Sequence, residues 1–108
     1  MNKTEKAYSE HLQARVVSGE VWAWWFEAVK LRVAYDSCWL TVDFMVQLSD
    51  GTLEFHDCKG GPSMDDAVVK EKVITDLFPF RLFEVRKRPV KNGGGWDIKE
   101  VGRQEATA

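Results

Sequence analysis

Ser49-Asp50-Gly51 divides two stretches, residues 39–48 and 52–59, that read as strands. The first runs from Trp39 to Leu48 and the second returns from Thr52 to Lys59. Asp-Gly supplies the positive φ that a tight turn between two such strands needs. A chain with this feature folds as an antiparallel hairpin, and the turn decides which residues of its strands stand opposite each other. With 108 residues the hairpin belongs to one compact domain, with no room for two.

The flanking segments supply the other elements. Tyr8, Leu12 and Val16 recur every four residues, with Thr4 as the expected N-cap and Ser18-Gly19 as the stop. A helix is expected over about residues 5–17. Residues 21–26 read as an aromatic strand or an extended connector. Val29, Leu31 and Val33 then alternate with Lys30 and Arg32, as in a half-buried strand. Tyr35-Asp36-Ser37 reads as a turn, and Gly60-Gly61-Pro62-Ser63 breaks the sheet. Residues 65–78 fit a second helix, capped near Ser63 or Asp65 and stopped by Pro79. Phe80, Leu82, Phe83 and Val85 make another strand, residues 91–95 a glycine-rich turn, and Trp96, Ile98 and Val101 a short last strand. The tail, 102–108, reads as frayed. Helix, three strands, helix, strand, short strand is the order of an α/β layer on a central mixed sheet.

Composition excludes several classes. A hydrophobic fraction of 44% with 30% charged residues is that of a globular domain, not a disordered one. The five Trp are expected mostly in the core. No apolar run is long enough to span a bilayer, and the charged start of the chain has no apolar segment behind it. The expectation is an intracellular, cytoplasmic protein in which Cys38 and Cys58 are free thiols. The two cysteines, with only His11 and His56, lack the spacing of a structural zinc site. The net charge of −2 does not advertise nucleic-acid binding, but residues 81–103 hold seven basic residues against three acidic ones. Such asymmetry fits a basic face beside an acidic pocket, and equally a solvated charged surface.

The chemistry concentrates in the hairpin. Asp43 lies within the apolar run Leu40 to Val46, where a carboxylate is costly to bury without a partner. Asp57 and Lys59 are two apart, so they share one side of the returning strand, and the turn brings Asp57 near Asp43. Two carboxylates with a nearby ammonium suit Mg²⁺ or Mn²⁺, with the backbone carbonyl of Cys58 as a further ligand. Such an ion would activate water against a phosphoryl group, and Lys59 would position the water or stabilise phosphate charge. A Lys59–aspartate ion pair that only satisfies buried charge is the competing structural reading. His56 and Glu54 point to the other face, where His56 reads as a packed, hydrogen-bonded histidine.

Four stretches, Thr4 to Tyr8, Thr41 to Val46, Glu54 to Gly60 and Leu77 to Arg81, resemble the PD-(D/E)XK nuclease superfamily, in particular its small phage-type members. The resemblance covers about residues 4–96. It implies a restriction-endonuclease-like core of a helix, a three-stranded meander, a helix and a strand. It also implies metal-dependent cleavage of DNA phosphodiesters, with Asp43 and Asp57 on the metal and Lys59 acting on the nucleophile. The relatives it points to are junction-resolving, recombination and repair nucleases of phages, so branched DNA is an expected partner. Dimerisation would place two such sites on two strands.

Many members of that superfamily add a glutamate from the first helix. Glu5 lies on the stripe of Tyr8, Leu12 and Val16 and Glu10 on the opposite side, so Glu5 is the choice. The alternative for Glu5 is a first-turn acid that favours the helix dipole. Lys70 and Lys72 on the second helix, with Arg86 and Arg88 after the fourth strand, are the candidates for phosphate contact. Val42 stands where the superfamily expects proline, and Asp57 where close relatives often carry Glu. The second functional reading is therefore a non-catalytic module on the same fold that binds nucleic acid or a protein, such as an inhibitor from a mobile element.

Overall fold

The computed structural model describes residues 1–34, 38–60 and 65–102. Helix α1 spans Lys3–Ser18 and helix α2 Asp65–Leu77. The strands are β1 Val21–Ala34, β2 Cys38–Leu48, β3 Leu53–Cys58, β4 Arg81–Lys87 and β5 Trp96–Glu100, with one 3-10 turn at Val90–Asn92. They form a five-stranded sheet in the order β1-β2-β3-β4-β5. Only β3 and β4 pair in parallel, joined by the α2 crossover, so the architecture is α/β with a mixed sheet.

Helix α1 starts earlier than expected. Its cap is Asn2, not Thr4: the Asn2 side chain accepts from Glu5 N–H at 2.8 Å, and Glu5 returns a bond to Asn2 N–H at 2.8 Å. This reciprocal pair satisfies two helix-terminal donors at once, which a cap at Thr4 would forgo. The helix ends at Gly19, whose φ of 90° suits glycine. Tyr8 and Leu12 then face the sheet and are fully buried.

The aromatic segment and the half-buried strand expected at residues 21–33 are one continuous strand. Phe26 pairs with Phe44 and Val29 with Val42, so Glu27 and Ala28 bulge opposite Asp43 alone. Glu27 takes φ 49°, the left-handed conformation of such bulges. The β2–β3 turn closes through Gly51 at φ 92°, with Leu48 N–H bonded to Thr52 O at 2.8 Å. The expected turns at 35–37 and 61–63, the cap at Ser63 and the tail from 103 lie outside the described residues.

The sheet buries both faces. Against α1 lie Val21, Phe44, Val46 and Val85 with Tyr8 and Leu12. Against α2, Leu31, Val42, Phe55 and Leu82 gather round Ile74. Each such side chain contributes about 1.5–3 kcal/mol on leaving water. The tryptophans divide differently from the expectation. Trp24 and Trp96 pack on the core, but Trp22 and Trp25 on the edge strand β1 are exposed, as is Trp39 on β2. Among the described residues no helix is long and apolar enough to cross a membrane.

Candidate functional site

The pairing of β2 with β3 stops at Phe44 and His56. One step further would place Asp43 opposite Asp57. Instead the Cys58 N–H donates to Asp43 Oδ2 at 2.8 Å, while the Lys59 N–H turns the other way, to Val85 O of β4 at 2.8 Å. The sheet therefore opens between β2 and β3, and a carboxylate fills the opening. N–H and C=O of one strand residue point to the same side, so the Cys58 carbonyl faces this opening too.

Asp43 and Asp57 are in side-chain contact there. Burial, then the charge of Asp57 and the hydrogen bond between the two, push the Asp43 carboxyl up to about 8; Glu5 adds to the rise and the Cys58 N–H opposes it. The Cys58 thiol is pushed up to about 12 by burial and by the charges of Asp43, Asp57 and Glu5, so it is no nucleophile near neutral pH.

Lys59 Nζ lies 3.0 Å from Asp57 Oδ2 and 2.9 Å from Glu71 Oε1. Burial alone would lower its pKa, but the Glu71 contact and the Asp57 charge more than offset this, and the net shift is upward. Lys59 is thus held as an ammonium. Glu71 on α2 is 1% exposed, and neither of its carboxylate oxygens meets hydrogen-bond geometry among the described residues. Its pairing with Lys59 is an ion contact. Burial raises the pKa of Glu71, and Lys59 holds it back.

The structure thus brings together Asp43, Asp57, Lys59 and the Cys58 backbone, with Glu5 near enough for its charge to act on Asp43. Glu5 is half-buried and serves the helix cap as well, whereas Glu10 is exposed. Glu71 is the member that the sequence reading missed. The available signal was an acid on the stripe that continues with Ile74 and Phe78, the inner face of α2.

The phosphate-contact candidates scatter. Lys72 is exposed and lines a cavity of about 210 Å³ with Glu71, Glu84 and Lys99, while Lys70 and Arg86 are half-buried. Arg88 is engaged by Asp97, at 3.0 Å from Nε and 2.6 Å from Nη2. On the opposite face His56 is buried, with Tyr8 OH at 2.5 Å from Nδ1 and Glu54 Oε1 at 3.0 Å from Nε2. Both ring nitrogens are thereby satisfied within the core.

No family model, curated protein or solved structure matches the chain.

The donor set bears on whether a metal fits. Two contacting, partly desolvated carboxylates repel unless a proton or a cation lies between them. Among the described residues no three His, Cys, Asp or Glu side chains form a metal-holding group by themselves. A hard cation would thus be held by the two aspartates and the Cys58 carbonyl, with water completing its shell. That set suits Mg²⁺ or Mn²⁺ and excludes a thiolate-type zinc site.

Proposed function

We propose that this chain is a divalent-metal-dependent DNA endonuclease on a restriction-endonuclease-like core, acting on branched or otherwise irregular DNA as phage recombination and repair nucleases do. The observation that carries the reading is the opening between β2 and β3, where two carboxylates touch and an ammonium stands 3.0 Å from one of them. A bound Mg²⁺ or Mn²⁺ would polarise the phosphoryl oxygen and lower the pKa of a coordinated water.

The chain's own groups divide the remaining work. Asp43 and Asp57 orient the cation-binding oxygens across the opening. Lys59, kept protonated, donates to a phosphate oxygen or to the attacking water and takes up no proton. Glu71 keeps that ammonium at the site when Asp57 is engaged elsewhere.

The test is a cleavage panel over branched, flapped, single-stranded and linear DNA with Mg²⁺, Mn²⁺ or EDTA. Metal-dependent cutting is expected, reduced by at least about a hundredfold in Asp57→Asn and in Lys59→Met. Both variants should keep the wild-type circular dichroism spectrum. A wild-type protein that binds DNA without metal and cuts none of these substrates would make the chain a binding module instead.

A further inference from the structure

The β1–β2 hairpin runs on past Asp43. Val29, Leu31, Val33, Leu40 and Val42 pack inward with the cluster around Ile74. The register sets Lys30 beside Thr41 and Arg32 beside Trp39, and alternation sends these four to the outer side. All four are exposed, and Trp39 keeps 38% of its surface open. Lys30 Nζ stands 5.4 Å and the Arg32 guanidinium carbon 5.6 Å from the centre of the indole ring.

An exposed indole flanked by two cations has a specific complement. The cations match a phosphate backbone, and the ring matches the face of a base. A duplex keeps its base faces inside its own stack except at its two ends, so along its length only an unpaired base offers one. Trp39 lies four residues before Asp43, about 13 Å along β2, on the face away from α2, whereas Lys59 meets Glu71 of α2 on the other face. We infer that Lys30, Arg32 and Trp39 form a seat for an unpaired nucleic-acid strand on the outer face of the β1–β2 hairpin. This inference rests on the reading given under Proposed function and adds the feature of the substrate that the protein grips.

The test measures binding rather than cleavage. Wild-type protein in EDTA is titrated against a fluorescein-labelled single strand and against a blunt duplex of the same sequence, at several salt concentrations. Trp39→Ala should weaken single-strand binding about tenfold and change duplex binding by less than about twofold. Trp39→Phe, which keeps a stacking ring, should restore most of the loss. Lys30→Ala with Arg32→Ala should lower the salt slope for the single strand by about one to one and a half. Thermal melting confirms that each variant is folded.

Equal binding by Trp39→Ala and wild type, or an equal loss for the duplex, overturns the inference. So does a wild-type dimer in sedimentation that Trp39→Ala dissolves without loss of single-strand affinity, since the surface would then seat a second copy. A protein that grips single strands through Trp39 but never cuts defeats the nuclease reading alone. One that cuts while Trp39→Ala binds normally defeats this inference alone.

Discussion

Burial, then the charge of Asp57, pushes the Asp43 carboxyl up to about 8, and this has a direct consequence for stability. A carboxyl whose folded pKa is raised stabilises the fold fully below its unfolded value and loses that contribution as pH rises through the folded value. The metal-free protein is therefore expected to lose stability between about pH 4 and about pH 8, and Asp43→Asn should flatten that slope. Urea midpoints in EDTA across this range would show it. Lys59 and Glu71 give a second expectation. Removing Glu71 alone, as Glu71→Leu, takes one of two carboxylates from a half-buried ammonium and costs stability, whereas Glu71→Leu with Lys59→Met replaces that ion pair by apolar contact. The double variant should unfold at a higher urea concentration than the Glu71→Leu single. At this scale the alternation of Asp57 with Lys59 was legible, because period two is a property of any strand. Glu71 was not read because a charged residue on a helix is usually solvated. Its place on the stripe with Ile74 and Phe78 was the signal available.

At the scale of elements, β1 shows where local pattern misleads. The break at Glu27-Ala28 reads in sequence as an end between two segments, yet the strand continues through it as a bulge. Alternation is lost across an inserted residue, while the hydrogen-bonded ladder resumes on the other side. A non-glycine residue in the left-handed region costs roughly 1–2 kcal/mol, part of which glycine returns as lost chain entropy. Glu27→Gly is therefore expected to raise stability by up to about 1 kcal/mol, and Glu27→Val to lower it, as thermal melts would register. The cap of α1 is a similar case. Thr4 is a good capping residue by type, but Asn2 with Glu5 three positions on satisfies more donors. The hairpin turn was legible for the opposite reason, since Asp50-Gly51 does its work within four residues.

For the molecule as a whole, the element order was legible and so was the mixed character of the sheet, because a helix between β3 and β4 favours a parallel pair. What no local pattern could supply is the point at which β2 and β3 part, which depends on side chains from both strands and from α2. On the proposed function, a cation held at that opening would add to global stability. Mg²⁺ or Mn²⁺ at about a hundred times its dissociation constant should stabilise the fold by about 2.7 kcal/mol. For a domain of this size that raises the melting temperature by roughly ten degrees or more, and Asp57→Asn should not respond. Scanning calorimetry with and without the ion decides it.

The bond from Cys58 N–H to Asp43 has a practical corollary. Amides within a sheet ladder are shielded from solvent exchange by carbonyls that never titrate, whereas this one is shielded by a carboxyl that does. Its proton resonance will move when Asp43 is deprotonated or engaged by a cation, even with the ladder unchanged. A single backbone signal in a nitrogen–proton correlation spectrum thus works as a built-in gauge of the site, readable without substrate or added label chemistry.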